Sequence, residues 1–282
     1  MTRRNAISLL LSAGLTASCS TVADKPANST VTVDSSVSNP VVTGKTINTE
    51  QNLAMDAKKA EEKATAIEAM QIMSSYLRSL DKFIVNADVS FDEVLPNGQK
   101  VLLNKTVQIK ADMPSNLWAK SENQYSQREF YFNGQTFTLY TENLGYFASV
   151  DVPGTIGEAV IKANLKYDIE VPLVDLFLWG TTVDSSADVN EAIIVGVEKV
   201  NGVECNQFAF REKDIDWQIC IQRDDTPLPL KLVITEKDLK AQPQMISVLK
   251  WDIAPDLSKQ NYTFTPHSGD HKISFGKVLT DK

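Results

Sequence analysis

Two histidines, two pairs of aspartates and three cysteines are the residues whose types and spacing could do chemistry. His267 and His271 are four apart, a spacing that puts two imidazoles on one helix face for a metal such as zinc. Pro266, Ser268 and Gly269 break the helix that this needs, so no metal site is read there. Asp214 and Asp216 would share one face of a strand, as an acid and a base do, and Asp224 with Asp225 is the other dense carboxylate pair. Their surroundings read as a solvated outer face and a loop. A Gly-rich phosphate loop, a G-x-S-x-G elbow and an H-E-x-x-H motif are missing from the sequence. No catalytic residue and no cofactor is assigned.

The cysteines divide by position. Cys19 closes a leader in which Arg3 and Arg4 precede an apolar run, residues 7–15, followed by Thr16, Ala17 and Ser18. The run is too short to span a bilayer. The tetrad Thr16-Ala17-Ser18-Cys19 resembles a bacterial lipobox, whose cysteine is acylated and becomes the mature N-terminus. Ser20, standing where an aspartate would retain the protein at the inner membrane, favours the outer membrane by the same resemblance. Ordinary cleavage nearby, for instance after Ala23, is the competing reading and would remove Cys19.

Cys205 and Cys220 belong to a different argument. Setting them opposite each other in an antiparallel hairpin also sets Phe208 opposite Trp217 and Phe210 opposite Ile215, with 211–214 as the loop. The large apolar residues then share one face and the cysteines meet on the other, close enough for a disulfide. An exported protein with two remaining cysteines most simply oxidises them.

These residues need elements to hold them. Hydrophobic residues at 43% and charged residues at 23% allow a sizeable core, and a formal charge of -8 argues against nucleic acid or an anionic membrane surface as partner. Residues 20–48 lack aromatics and helical period and read as a flexible tether. A helix is expected over 52–80, with Ala60, Ala64, Ile67, Met70, Met73, Leu77 and Leu80 as its packing stripe. Strands follow at 83–94, 100–112, 117–118 onward, 128–140 and 145–150, in the order of a meander.

The hairpin at 128–140 is the plainest local signal. Asn133-Gly134 is the preferred pair for a two-residue type I′ turn. That turn would set Phe132 opposite Gln135, Phe130 opposite Phe137 and Arg128 opposite Leu139, with Phe130, Phe132, Phe137 and Leu139 on one face. The meander is interrupted once. Thr155 and Glu158 fit a capping box opening a helix to about residue 166, and Pro172 starts a short helix, 173–179, apolar nearly all round. Strands resume at 191, and 230–235, 245–253 and 262–265 supply three more; residues 277–282 read as a frayed tail.

Phe130, Phe132, Phe137, Leu139, Phe208, Trp217 and Ile219, with Leu176, Phe177 and Trp179 from the short helix, would line one interior. Two readings stand: a ligand cavity, or a solid core filled by the same side chains.

Four signposts occur in order: Met113-Pro114-Ser115-Asn116-Leu117-Trp118; Phe132-Asn133-Gly134-Gln135-Thr136-Phe137 with Leu139-Tyr140; Pro229-Leu230-Lys231-Leu232-Val233-Ile234; and Tyr262-Thr263-Phe264-Thr265-Pro266 before Gly269-Asp270. In these the chain resembles the lipoprotein-localisation factors LolA and LolB, and more closely a family of predicted periplasmic proteins of unknown function with that fold. The resemblance covers residues 57–274. It implies a mainly β, α+β architecture over 49–276, in which an incomplete antiparallel barrel with an N-terminal helix wraps an apolar cavity beneath a helical lid. Lys110-Ala111-Asp112-Met113 stand where the carriers show a basic pair before the proline, so their gating arginine has no counterpart here. The function implied is a non-enzymatic, lipid-anchored binding protein facing the periplasm, holding an acyl chain of a lipid or lipoprotein. The alternative is an interaction or sensor module of the same fold with a filled core and another envelope protein as partner.

Overall fold

A computed structural model of the chain describes residues 49–181 and 188–276. The leader with Cys19, the 19–48 tether and the 277–282 tail lie outside the described residues.

Alternation of buried and more exposed residues marks most strands of the sheet, because successive side chains of a strand point to opposite faces, while β9 and β10 carry buried residues on both faces. Its strands are β1 (Lys82–Val94), β2 (Lys100–Asp112), β3 (Asn116–Glu122), β4 (Gln127–Asn133), β5 (Thr136–Thr141), β6 (Tyr146–Asp151), β7 (Glu191–Val200), β8 (Val203–Arg211), β9 (Ile215–Gln222), β10 (Pro229–Glu236), β11 (Gln244–Asp252) and β12 (His271–Lys272). They form one sheet in the order β12-β6-β5-β4-β3-β2-β1-β11-β10-β9-β8-β7. Neighbours are antiparallel except β12 with β6, which is parallel. The two end strands do not pair with each other, so the barrel is incomplete, as the sequence implies.

Three helices fill the concave side: α1 (Thr49–Ser79), α2 (Ile156–Tyr167) and α3 (Asp175–Leu178). Inner-face residues from both halves of the sheet, among them Phe132 and Trp217, join residues of all three helices in one apolar cluster, which requires the sheet to curl around them. The capping box at α2 is formed: the Glu158 amide donates to Thr155 Oγ1, and the Thr155 amide donates to Glu158 Oε2 at 2.8 Å.

Both hairpins that carry expected site residues are two residues out of the expected register. Phe132 pairs with Phe137 and Phe130 with Leu139, while Cys205 pairs with Gln222, Phe208 with Ile219 and Phe210 with Trp217. The cause at the first hairpin is its turn. Asn133 stays in the strand, only Gly134 takes a positive φ (84°), and the Asn133 side-chain carbonyl accepts from the amides of Gln135 and Thr136, which widens the two-residue loop. A shift of two leaves every side chain on its expected face. The disulfide between Cys205 and Cys220 therefore still forms, diagonally across the strands, with Cα atoms 5.4 Å apart.

Other expectations need correction. Ala60 and Ala64 are exposed; the packing stripe of α1 is Ala66, Met70, Met73 and Leu77, so its first turns project beyond the sheet. The short apolar helix is a turn at 172–174 followed by one turn of α3. Residues 262–265 are not a strand but part of an irregular strap over the outer face, where Phe264 contacts Tyr131, Tyr140 and Phe147 with ring centroids 4.8 to 5.4 Å apart. Tyr140 Oη donates to Asp270 beyond it, and the strap ends as β12 on the edge of β6.

Candidate functional site

The interior is built from the residues that alternation pointed inward. Phe130, Phe132 and Phe137 come from β4 and β5, and Phe208, Trp217 and Ile219 from β8 and β9. Leu176, Phe177 and Trp179 come down from the segment at α3. None of the nine is more than 8% exposed, and Leu139, half-buried, packs against them. Phe177 stacks on Phe83 with centroids 6.0 Å apart, and Phe210 lies flat on Trp217 at 4.0 Å. Side chain meets side chain throughout this region, as in a close-packed core. Between α2 and α3 a cavity of about 10 Å³, lined by Val160, Ile161, Ile169, Val174 and Leu178, has room for about one water.

The segment 171–179 is the unusual part. Nine consecutive residues are buried, so the piece expected as a lid sits inside the sheet like a plug. A hydrogen bond from α1 ties its end. Arg78 Nη1, at the end of α1, donates to the Trp179 carbonyl at 3.0 Å, and Gly180 lies directly under that guanidinium with φ 70°, where a Cβ would fall 1.4 Å from Arg78 Nη1. On the other side, Gly157 lets α2 approach the Phe177 carbonyl, where a Cβ would stand 3.1 Å away.

The plug also contains features that oppose its burial. Leu173 holds φ 53° while buried, a left-handed conformation that costs a non-glycine residue about 1–2 kcal/mol. Asp175 is 1% exposed, and its carboxylate has no hydrogen-bond partner among the described residues beyond its own backbone amide; Trp179 Nε1 has none. Burial, partly offset by the residue's own backbone amide and reinforced by the nearby charge of Glu212, pushes the Asp175 carboxyl up to about 7. Glu212, also buried, does have a partner: Trp217 Nε1 donates to it at 2.9 Å.

The polar residues considered for chemistry are scattered. Asp216 pairs with Arg211 and Lys237, Asp224 accepts from Thr226, and Asp214 is exposed in the β8–β9 turn. His267 lies 3.4 Å from Asp270, and His271 is exposed in β12. Among the described residues no cluster of His, Cys, Asp or Glu could hold a metal ion. Sequence reasoning passed over Arg78, Leu173 and Asp175. Asp175 was the one with a signal, as the lone charge in the apolar run 171–179.

Fold and site together define a class: an open antiparallel sheet wrapped around helices, its apolar interior occupied by an inserted segment of its own chain. The chain belongs to the family described as predicted periplasmic protein (DUF2092), whose model matches residues 66–276. No curated protein matches it. Among solved structures, it is similar to the lipoprotein LppX of Mycobacterium tuberculosis, with 10% identity, coverage of 68% of this chain and 98% of that one, and a TM-score of 0.43. It is also similar to LprF of Mycobacterium bovis (14% identity, 67% and 94% covered, TM-score 0.40). A LolA superfamily protein of Nitrosomonas europaea is a third (10% identity, 71% and 97% covered, TM-score 0.32).

Proposed function

We propose that this chain is a periplasm-facing, lipid-anchored binding protein that holds an acyl chain or similar apolar ligand in the space occupied by residues 171–179. One observation carries the reading: an apolar segment fills the interior while holding a strained Leu173 and a buried Asp175 with no partner beyond its own amide, its end tied to Arg78. A ligand that displaces it replaces apolar contacts in kind, at about 0.8 kcal/mol per buried CH₂ group, and releases the carboxyl of Asp175 to water. Phe130, Phe132, Phe137, Leu139, Phe208, Trp217 and Ile219 are then the ligand wall, and Leu176, Phe177 and Trp179 the mobile cover. The protein acts by binding, not as an enzyme. The family's periplasmic description supports the compartment, and the lipobox-like tetrad supports anchoring at Cys19, with Ser20 favouring the outer membrane.

The close packing of the interior favours a second reading, a filled-core module that recognises another envelope protein. Native mass spectrometry of the exported chain carrying Cys19→Ala separates the two. A co-purifying lipid, or uptake of added palmitate that rises in Arg78→Ala, is expected. A bare mass with no uptake by either protein would sink the ligand reading and leave the interaction module.

A further inference from the structure

The outer face of the sheet carries a cleft unrelated to the interior. Alternation turns Trp118 of β3 and Glu129 and Tyr131 of β4 away from the core, and the 256–270 strap crosses above them. Between sheet and strap lies an open cleft of about 340 Å³, a volume within the range of small-molecule sites. The strap contributes Gln260, Asn261 and Thr265 to its walls, and His267 closes one end.

The cleft is pre-ordered. Trp118 Nε1 and Tyr131 Oη both donate to one oxygen of Glu129, at 3.1 and 2.5 Å. The other oxygen, Oε1, has no hydrogen-bond partner among the described residues. Partial burial, then the hydrogen bond to Glu129, push the Tyr131 phenol well above its ordinary range, so it remains a donor and locks the carboxylate in place. The Lys110 ammonium sits over the Trp118 ring, 4.7 Å from its centroid, and restrains the indole. Across the cleft, Gln260 uses its amide nitrogen on the Asn261 carbonyl, and Asn261 uses its side-chain oxygen on the Thr263 amide. This presents the Gln260 amide oxygen as an acceptor and the Asn261 amide nitrogen as a donor. Asn133 Nδ2 donates to Thr263 Oγ1 and ties the strap to the hairpin below.

We infer that this cleft between β3, β4 and the strap binds a saccharide. A pyranose ring takes an aromatic side chain against its C–H face and alternating donors and acceptors for its hydroxyls; the amides and hydroxyls of the cleft supply the second, and with Lys110 over one face of Trp118 and Phe264 against Tyr131, the other face of Trp118 is the one left for the first. A carboxylate oxygen is the strongest acceptor for a sugar hydroxyl. That carboxylate disfavours phosphates and other anions, and the polar wall of amides and hydroxyls disfavours a wholly apolar ligand. The site is independent of the interior, so it stands or falls separately from the acyl-chain reading.

Two sources share this chemistry, a glycan strand and a free sugar, and one experiment distinguishes them. The full chain, purified in a detergent without a sugar headgroup, is titrated calorimetrically with N-acetylglucosamine, chitotetraose and cellotetraose, and saturation transfer to each is recorded by NMR. Binding of at least one probe is expected, with transfer strongest to ring C–H protons. A clear preference for a tetramer identifies a strand as the source; equal binding of the monomer identifies a free sugar. Trp118→Ala should weaken binding about tenfold or more, whereas Trp118→Phe retains most of it. Asn261→Asp, an exposed strap position where the aspartate keeps the oxygen that accepts from the Thr263 amide and loses only the amide donor, should weaken it severalfold, and Asn261→Ala at least as much. No binding of any probe at millimolar concentration, or affinities unchanged in both Trp118→Ala and Asn261→Ala, would overturn the assignment.

Discussion

Arg78 and Trp179, 101 residues apart, meet through a single hydrogen bond of 3.0 Å from guanidinium Nη1 to the backbone carbonyl. The bond joins the last turn of the long helix to the end of the inserted segment. Because it uses a main-chain acceptor, it fixes where the segment ends without regard to which side chain stands at 179.

Cutting that bond should loosen the segment before the fold. For Arg78→Ala we expect a stability loss of about 1 kcal/mol in urea unfolding, with faster amide exchange confined to 171–181. Gly180→Ala should cost more, about 2 kcal/mol, since it adds left-handed strain and drives the Arg78 side chain away. Exchange rates within 171–181 that stay at wild-type values in both variants would contradict this.

Asp175 sets a pH dependence whose sign is the reverse of a salt-bridged carboxylate. Its folded value of about 7 lies above the 3.8 of a free aspartate. Below 3.8 both states are protonated and nothing is lost. As pH rises toward 7 the unfolded chain gives up its proton first, so this group's contribution falls, and above 7 the full penalty, roughly 4 kcal/mol, is present. The stability gained by Asp175→Leu over wild type should therefore be several kcal/mol larger at pH 8 than at pH 4. If the segment gates a ligand site, the same variant should take up less palmitate. Equal pH profiles for the two proteins would refute the assignment of the slope to Asp175.

The disulfide offers a test by reduction. Cys205 and Cys220 are 15 residues apart, and in the chain-entropy model opening such a loop costs about 3 kcal/mol. Cys205→Ser/Cys220→Ser should lower the urea midpoint by a corresponding amount and abolish any effect of reductant. Identical midpoints with and without reductant in the wild type would mean that the bridge is not made in solution.

Phe264 is the pin of the strap. Phe264→Ala removes three ring contacts and should cost about 1–2 kcal/mol. The effect should appear first as lost exchange protection at the amides of His271 and Ile273, which donate to Gly145 and Phe147 at 2.8 Å. Retained protection there would show that the β12–β6 pairing holds the strap unaided.

Much of this molecule was legible in its sequence because period-two alternation and turn chemistry are local. A reversal at Gly134, the Thr155/Glu158 capping box and the inward faces of β4, β5, β8 and β9 follow from residues a few positions apart. The register of the hairpins was not; at the first it depended on whether Asn133 would enter the turn or serve it through its side chain. The start of α1 packing at Ala66 instead of Ala60 could not be read from the stripe either, because the reach of the sheet beneath decides it. The plug was half-legible. The apolar run 171–179 announced burial, but its position inside the sheet rests on Arg78 and Gly157, which lie far away in sequence or carry no signal of their own. The cleft on the outer face escaped because the strap was read as a strand.

The register shifts have a further consequence for how the turns of this fold tolerate changes in length. A slide of two residues in either hairpin leaves the interior intact, whereas a slide of one would turn Phe137 or Trp217 outward. Insertions and deletions in the 133–136 and 211–214 turns should thus be accepted in even steps. Odd steps need a bulge to absorb them, and among the described residues the irregularities lie between Ile194 and Gly196 in β7 and between Pro229 and Lys231 in β10, next to the β8–β9 hairpin and away from β4 and β5. Length variation in this fold is in that sense quantised, most strictly at the 133–136 turn.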